Sequence, residues 1–391
     1  MGGARLAAVL SVLAIAGAAC DGEQGARSVA PTVASTPAPT LTPTPKAAHH
    51  TLLAYDRWDP ASHVHSIWLT DIVVGGPRRL ISAAGDAPAW SPDGRELAFA
   101  SNLDADCGGC TSLRVISGEG THSRLLRSDG TNGDPAWSPD GKLIAFVHGP
   151  NVTNGPPEID VIAPDGTGLH RLTPAKRSFG GTLTWAPDSK QLVIDTPDDG
   201  LWIIHTDGRA LRRLTPAPVF ADRTRPGAHA RIDSQPIWSR NGKRILFTRE
   251  DGTDGQPHST IFSVDVNGGK AHRLTAPTLS ADSPALSPDL STIAFIGATS
   301  PSGCFTSALY VMSAEGGGAR RISPLYRGAI SSPVWSHDGR SIAYAAPPAT
   351  TQCFTDSPDY DIVALEVSSR SPHTLNQGHS AWEQSYVLRQ P

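Results

Sequence analysis

Pro88-Ala89-Trp90-Ser91-Pro92-Asp93-Gly94 is the stretch that decides the fold, because the chain repeats it at nearly fixed spacing. A second full copy is Pro135-Ala136-Trp137-Ser138-Pro139-Asp140-Gly141. Degenerate copies follow in steps that, from Trp90 onward, are 47, 48, 53, 48, 49 and 47 residues; they centre on Trp185, Trp238, Leu286, Trp335 and, weakly, Trp382. A period of this length indicates one supersecondary unit copied many times.

Each repeat predicts four short β-strands. The tryptophan run ends in a turn such as Pro92-Asp93-Gly94, in which Asp bonds its own backbone and Gly accepts a positive φ. An unbroken apolar run such as Leu97-Ala98-Phe99 follows, which is typical of a strand buried on both faces. Leu113–Ile116 is a third strand, and a polar run such as Arg171-Leu172-Thr173 is a fourth, whose charge suits an outer edge.

Four antiparallel strands with a buried second and a polar fourth describe a propeller blade. A blade must be covered on both faces, which only a closed ring gives to every copy. The first predicted strand, Leu52–Tyr55, matches strand two of a blade. We expect Ser380-Ala381-Trp382 to supply the missing first strand. The prediction is an all-β, seven-bladed propeller of four-stranded antiparallel blades, its N-terminal blade completed by the C-terminal strand.

The recurring Trp-Ser-Pro-Asp-Gly, the Ile-Ala-Phe that follows and the closing Arg-Leu-Thr resemble the TolB-type, WD-repeat-like β-propeller repeat over residues 51–388. The resemblance implies the propeller fold. The same repeat occurs in envelope scaffolds, in propeller domains of prolyl-oligopeptidase-like peptidases and in some polysaccharide lyases, so it does not decide the function. Only a short spacer precedes the first strand, and we expect no counterpart of the α/β domain that precedes the propeller in TolB.

Residues 1–20 predict a secretion signal, because Leu6–Ala16 is apolar but too short to span a membrane. The ending Gly17-Ala18-Ala19-Cys20 resembles a bacterial lipobox, which implies lipidation of Cys20 and a membrane anchor. An ordinary signal peptide with a chance cysteine is the alternative. Residues 21–50 are rich in Pro and Thr and predict a disordered tether, which leaves residues 51–391 for the propeller. We expect a bacterial protein outside the cytoplasm, in the periplasm or on the outer surface.

Composition narrows the function classes. The chain has 33 Lys and Arg against 37 Asp and Glu, a net charge of −4, which offers no basic footprint for nucleic acid. No Gly-x-Ser-x-Gly nucleophile motif occurs, and the period leaves no room for a hydrolase domain. We assign no catalytic residue, metal ligand or cofactor from the sequence, and we expect a monomer.

The four cysteines beyond Cys20 all fall between the second and third strands of their blades. Cys304 and Cys353 occupy matching places in consecutive blades, so we predict that they form a disulfide. Two separate thiols are the alternative, since the two points can lie too far apart to bridge. Cys107 and Cys110 form a CxxC that fits a local disulfide, a redox dithiol or half of a metal site. The local disulfide is favoured, because acidic neighbours oppose a lowered thiol pKa.

Connections from strand four to the next strand one lie on the same face of the ring as those cysteine loops. The longest runs from Pro216 to Gln235. Basic side chains in this loop and its equivalents are candidate contacts for a carboxylate or an acidic sugar; they are Arg177, Arg225, His229, Arg231 and Arg327. A solvated loop with ordinary surface charge is the alternative.

Three functions are compatible with these features. The leading hypothesis is a non-catalytic module, anchored in the cell envelope, that binds an envelope protein or a cell-wall polysaccharide through this loop face. The alternative is a lyase-like propeller enzyme that acts on acidic polysaccharide with groups from residues 216–235. A purely structural spacer is the third. We interpret the repeated tryptophans as inter-blade packing and not as a carbohydrate platform, because all of them take the same place in the blade.

Overall fold

The structure is a computed structural model that describes residues 52–59, 62–72, 79–103, 110–149, 155–174, 177–196, 200–216, 231–251, 258–299, 306–348, 359–380 and 387–388. All of these residues belong to the compact unit His49–Pro391. Over these ranges the chain forms 29 β-strands and no helix. The same ranges therefore contain no apolar helix of membrane-spanning length.

The strands form seven antiparallel sheets, and each sheet orders its four strands as a blade from the inner strand outward. Blade 1 consists of β29 (Val387–Leu388), β1 (Leu52–Asp59), β2 (Val64–Asp71) and β3 (Arg79–Ser82), and blade 2 of β4 (Asp86–Trp90), β5 (Glu96–Ser101), β6 (Ser112–Ser117) and β7 (Arg124–Arg127). Blade 3 consists of β8 (Thr131–Trp137), β9 (Ile144–Gly149), β10 (Glu158–Ile162) and β11 (His170–Arg171), blade 4 of β12 (Leu183–Trp185), β13 (Gln191–Thr196), β14 (Gly200–His205) and β15 (Arg212–Arg213), and blade 5 of β16 (Arg231–Trp238), β17 (Arg244–Asp251), β18 (Ser259–Asp265) and β19 (His272–Arg273). Blade 6 consists of β20 (Ser280–Leu286), β21 (Thr292–Thr299), β22 (Thr306–Ser313) and β23 (Arg320–Arg321), and blade 7 of β25 (Ser331–Trp335), β26 (Ser341–Ala346), β27 (Asp359–Glu366) and β28 (Ser371–Ser380). A short additional strand, β24 (Tyr326–Arg327), pairs with β22.

The first strands of neighbouring blades contact one another around a central channel. The two faces of the ring follow from the strand directions. The turn face holds the Pro-Asp-Gly type turns between strands one and two. The loop face holds the connections between strands two and three and those from one blade to the next. The predicted seven-bladed, all-β propeller is confirmed.

The strand that closes the ring differs from the one predicted. Val387 and Leu388 pair with Ala54 and Leu53 of β1 and complete blade 1. Ser380 instead ends β28, where it pairs within blade 7. The reason is local: β28 is ten residues long and uses the segment before Trp382 as an outer strand. The copy at Trp382 also lacks the Pro-Asp-Gly turn that follows a true first strand. Residues 381–386 lie outside the described ranges.

The tryptophans bind each blade to the one before it. The indole N–H of Trp137 donates to the carbonyl of Ala89, one blade earlier, at 3.1 Å. The same bond recurs from Trp185, Trp238 and Trp335 at 3.0, 3.2 and 3.1 Å. The rings of Trp185, Trp238 and Trp335 are buried and that of Trp137 is partly buried, and each stabilises its interface by up to about 3 kcal/mol. The interpretation of the tryptophans as inter-blade packing is confirmed.

The outer strands of blades 3 to 6 are shorter than predicted and are secured by a repeated side-chain bond. Each has two residues, and a hydroxyl two positions later accepts a backbone N–H from the first half of the third strand. Thr173 accepts from Ile159 at 2.8 Å, and Thr215, Thr275 and Ser323 repeat this bond. This hydroxyl position is therefore a constant feature of blades 3 to 6. A different residue at the same place in another blade is a departure from the repeat.

Aromatic side chains at one position of the second strand fill the space between blades. They are fully buried at Tyr55, Phe99, Phe146, Phe247, Phe295 and Tyr344. Each apolar cluster joins two neighbouring blades; one, for example, contains Ile296 of blade 6 and Tyr344 of blade 7. Burial of both sheet faces is what the unbroken apolar runs predict.

Candidate functional site

The inner strands of four blades carry a β-bulge at the same place, three residues before the tryptophan position. Ala87, Asp134, Gln235 and Ser283 have positive φ there, between 47° and 53°. The strand register shifts at each of these points. A bulge redirects side chains, and positive φ is uncommon outside glycine. The repeated irregularity thus sets polar residues along the channel wall.

Hydrogen bonds join these residues across three blades. The backbone N–H of Gln235 donates to Asp195 Oδ2 at 2.9 Å. The Gln235 side-chain oxygen accepts the backbone N–H of Ser283 and the hydroxyl of Thr248, both at 2.9 Å. We call Asp195, Gln235, Thr248 and Ser283 the channel arc. It runs from blade 4 through blade 5 to blade 6 and holds these groups in fixed positions.

Asp195 is the most perturbed carboxyl of the channel arc. Burial raises its pKa to about 6, against the opposing effect of the N–H bonds from Gln235 and Thr182, and the negative charge of Asp134 raises it further. Gly181 lies directly against it, since a Cβ at Gly181 would come within 1.8 Å of Asp195 Oδ1. The carboxyl therefore changes charge close to neutral pH.

Arg177 is exposed and stacks on an aromatic ring, and its predicted role as a ligand contact stays a prediction. Its guanidinium lies 4.5 Å from the centre of the Trp202 ring, and Arg213 lies 5.2 Å from the same ring. Phe179 meets that ring edge-on at 6.0 Å. Cation–π contacts of this kind stabilise the loop between blades 3 and 4. The position of Arg177 is thus accounted for by packing.

Arg231, also predicted as a ligand contact, adjoins a buried ion pair in blade 5. Arg249 donates two bonds to Asp233, at 2.6 and 2.7 Å, and its guanidinium lies 4.6 Å from the centre of the Phe262 ring. Burial and the charge of Arg249 lower the pKa of Arg231. Strand β16 already begins at Arg231, so the last five residues of the predicted 216–235 loop are strand.

The remaining predicted site residues are Arg327, Arg225 and His229. Arg327 is exposed in β24, on the connection between blades 6 and 7. Arg225 and His229 lie outside the described residues. The described arginines occupy three different inter-blade connections, and their convergence on one ligand stays a prediction.

The cysteine predictions also remain open. Cys110 is buried two residues before the third strand of blade 2. Cys20, Cys107, Cys304 and Cys353 lie outside the described residues. The Cys304–Cys353 disulfide, the local Cys107–Cys110 disulfide and the lipidation of Cys20 therefore stay predictions.

A cavity of about 600 Å³ opens at the turn-face end of the channel. Its wall is built largely of indole rings, prolines and aliphatic side chains, among them Trp185, Trp238, Leu286, Pro288 and Trp335. His337 is the one titratable side chain in its lining. The cavity is within the size range of ligand pockets and is predominantly apolar.

Leu286 forms part of the wall of this cavity. It takes the place of the tryptophan in blade 6, so the ring that would lie between Trp238 and Trp335 is missing. The indole N–H that would donate to blade 5 is missing with it. From the sequence, this substitution reads only as a degenerate copy. Its single occurrence among the strong repeats is the signal that points to a site.

One group of metal-capable side chains stands apart from the channel, considering only the part of the chain that the structure describes. His148, Glu158 and Asp160 are all buried in blade 3, and their ligand atoms lie within 4.8 Å of one another. These residues come from two strands and form no spacing motif, so the sequence alone does not identify them.

No protein-family model matches the chain, and no curated protein matches it. Among solved structures, the chain is similar to a puromycin-hydrolysing peptidase of Mycobacterium tuberculosis, with 14% identity and a TM-score of 0.59 over 85% of this chain and 52% of that one. It is similar to oligogalacturonate lyase of Vibrio parahaemolyticus, with 13% identity and a TM-score of 0.57 over 83% and 85%. TolB of Acinetobacter baumannii shares 22% identity at a TM-score of 0.45, over 68% of this chain and 61% of that one.

Identities this low show the shared propeller fold alone. The chain spans 61% of that TolB and about half of the peptidase. The TolB-type character of the propeller rests on its own repeat, whose turns and inter-blade tryptophans are present in the structure.

Proposed function

We propose that this protein is a non-catalytic binding module of the cell envelope that receives an apolar side chain of a protein partner in its turn-face cavity. The observation that carries the proposal is a predominantly apolar cavity of about 600 Å³, with Leu286 in its wall where the other strong repeats have tryptophan. Apolar concave sites with fixed walls are the usual places for a partner's anchoring side chain.

The walls of the cavity are fixed before any partner binds. Trp185, Trp238 and Trp335 are each held by a bond to the preceding blade. A preorganised site avoids the entropic cost of ordering side chains on binding. The indole N–H groups are already committed to backbone carbonyls, which leaves few donors for sugar hydroxyls. This favours a protein partner over a polysaccharide.

The N-terminal sequence supports an envelope location for this module. Residues 1–20 have the features of a secretion signal, Cys20 occupies the lipobox position, and residues 21–50 have the composition of a tether. Lipid chains at Cys20 anchor the protein to a membrane outside the cytoplasm. A Cys20→Ser variant is expected to move from the membrane to the soluble fraction; a variant that stayed membrane-bound would contradict the anchor.

The loop face is the competing binding surface. Its longest connection, residues 216–235, carries the basic side chains chosen in the sequence analysis, but residues 217–230 lie outside the described ranges. Arg177 is exposed and stacks on Trp202, and Arg231 adjoins the buried pair of Asp233 and Arg249. The turn face therefore has the stronger structural support.

A second candidate function is catalysis on an acidic polysaccharide. Asp195 favours it, because a carboxyl with a pKa of about 6 in a channel wall can accept or donate a proton near neutral pH. Solved oligogalacturonate lyases, one in complex with manganese, have the same propeller fold. Formation of unsaturated product from oligogalacturonate, lost in an Asp195→Asn variant, would support this candidate.

Site-specific photocrosslinking separates these possibilities. A photocrosslinking amino acid is placed at His337, an exposed residue of the cavity lining, and at Arg327 as a loop-face control, in the full-length protein within its native envelope. We expect position 337 to capture one envelope protein and position 327 to capture none. The reverse pattern would move the binding surface to the loop face. Capture from neither position would favour the third hypothesis, a purely structural spacer.

A further inference from the structure

We infer that the interface of blades 2 and 3 contains a site for one divalent transition-metal ion, Zn²⁺ above all, formed by His148, Glu158 and Asp160. The inference is independent of the proposed binding function. It rests on the geometry of these three side chains, on the fixed orientation of the imidazole and on an unmatched buried carboxylate oxygen.

The strand register brings the three ligands together. His148 on β9 lies directly opposite Glu158 on β10, and Asp160 follows two residues later on the same face of the sheet. Their exposed fractions are 3%, 8% and 3%, and their ligand atoms lie within 4.8 Å of one another. One imidazole nitrogen and two carboxylates at this spacing are a donor set suited to Zn²⁺.

A second layer of bonds orients the imidazole for this role. His148 Nδ1 lies 3.0 Å from Asn132 Oδ1. The Asn132 amide nitrogen donates to the carbonyls of Thr111 and Asp129, which fixes its oxygen toward the ring. Because that oxygen can only accept, Nδ1 carries the hydrogen and Nε2 keeps its lone pair. Metal-binding histidines are usually oriented in this way.

One carboxylate oxygen among the ligands has no partner. Asp160 Oδ1 is buried without a hydrogen-bond partner. The two buried carboxylates, of Glu158 and Asp160, each meet one guanidinium, of Arg171 and Arg127. The neighbouring carboxylate of Asp129 is exposed. A buried acceptor oxygen without a partner is costly, and a bound cation would supply one.

The Arg127 guanidinium competes with a metal ion for these ligands. It donates to Asp160 Oδ2 and, at 2.9 Å, to His148 Nε2, so it takes up the lone pair that a metal would use. It is also held by Asp129 at 2.6 and 3.0 Å. Asp129 can retain the guanidinium when an ion takes the two inner groups. Arg127 is itself a departure from the repeat, since the equivalent positions hold the hydroxyl residues that close the other blades, Thr173, Thr215, Thr275 and Ser323.

Metal titration of the full mature chain tests the site. We expect wild-type protein, freed of metal with a chelator, to retain one Zn²⁺ per chain after gel filtration and to melt at a higher temperature with Zn²⁺ than without. Arg127→Gln is expected to bind Zn²⁺ more tightly, because it removes the competing cation. Asn132→Ala is expected to weaken binding by about 10–100-fold, because it releases the imidazole.

His148→Gln is expected to abolish both the stoichiometric Zn²⁺ and its thermal shift, while His170→Gln, an exposed histidine of the same blade, changes neither. Glu158→Gln replaces the first variant if His148→Gln fails to fold. Failure of both wild type and Arg127→Gln to retain Zn²⁺ would overturn the inference and leave an ion-pair cluster. Zn²⁺ that persisted undiminished in a folded His148→Gln or Glu158→Gln protein would overturn it as well.

Discussion

Blades 3 and 5 place polar pairs at the same point of the repeat, and the pairs differ in how completely they are satisfied. In blade 5, Asp233 faces Arg249 across β16 and β17, with two short hydrogen bonds and phenylalanine rings beside the guanidinium. In blade 3, Asn132 faces His148 at the equivalent register. The blade 3 pair belongs to a larger cluster in which an oxygen of Asp160 has no partner.

The difference indicates how a departure from the repeat can be interpreted. Where all the polar groups of a departure have hydrogen-bond partners, the departure has a structural role, as the ion pair of blade 5 does. A departure that leaves a group unmatched or a space unfilled is a candidate for binding something from outside. Asp160 in blade 3 and Leu286 in blade 6 are of the second kind.

The largest expected effect is in blade 5. Asp233→Ala leaves the Arg249 guanidinium buried without its carboxylate, and removal of one partner of a buried pair costs about 3–5 kcal/mol. Urea unfolding should show this loss in the free energy of unfolding. The double variant Asp233→Leu, Arg249→Met, which removes both charges, should recover most of it. A single-variant loss below about 1 kcal/mol would mean that the pair is not closed in the way described.

A smaller effect is expected at Asp195, whose carboxyl links blade 4 to Gln235 of blade 5. Its folded pKa of about 6 lies above the unfolded value near 3.8. The folded state therefore binds more protons between these values, and its stability falls as pH rises through them, by about 2–3 kcal/mol in total. Asp195→Asn should flatten this dependence when unfolding is measured between pH 4 and pH 8. An unchanged pH profile would show that Asp195 is not buried as a protonated acid.

The smallest expected effect is at Asp160 in blade 3. With metal absent, Asp160→Asn keeps an acceptor oxygen beside Arg127, and Arg127 keeps its bonds to Asp129. The free energy of unfolding should change by less than about 1 kcal/mol, roughly the net value of one ordinary hydrogen bond. A loss as large as that of Asp233→Ala would remove the contrast between the two blades.

Much of the fold could be predicted from the sequence, because each blade repeats its tryptophan, its turn and its buried strand. The closing strand could not, since Val387–Leu388 is two residues long and follows a copy without the turn motif. Nor could the function of the basic side chains be read from composition. Whether Arg177 contacts a ligand or stacks on Trp202 depends on the path of the loop.

The channel arc could not be predicted from the sequence for a different reason. Asp195, Gln235 and Ser283 are separated by 40 and 48 residues in the sequence and meet only because consecutive blades pack side by side. The departures at Arg127 and Leu286 were visible in principle, since aligning the repeats with one another exposes them. What alignment does not show is whether the departing side chain finds partners, which depends on the neighbouring blade.

The most direct test of the account is to restore the repeat at one position. Leu286→Trp puts back the residue that the other strong repeats use, and the ring should occupy the cavity without disturbing the fold. Leu325→Trp, at an exposed leucine on the loop face, is the matched control. The account predicts that both variants melt at or above the wild-type temperature, and that only Leu286→Trp loses capture of the envelope partner. Undiminished capture by a folded Leu286→Trp protein would contradict it.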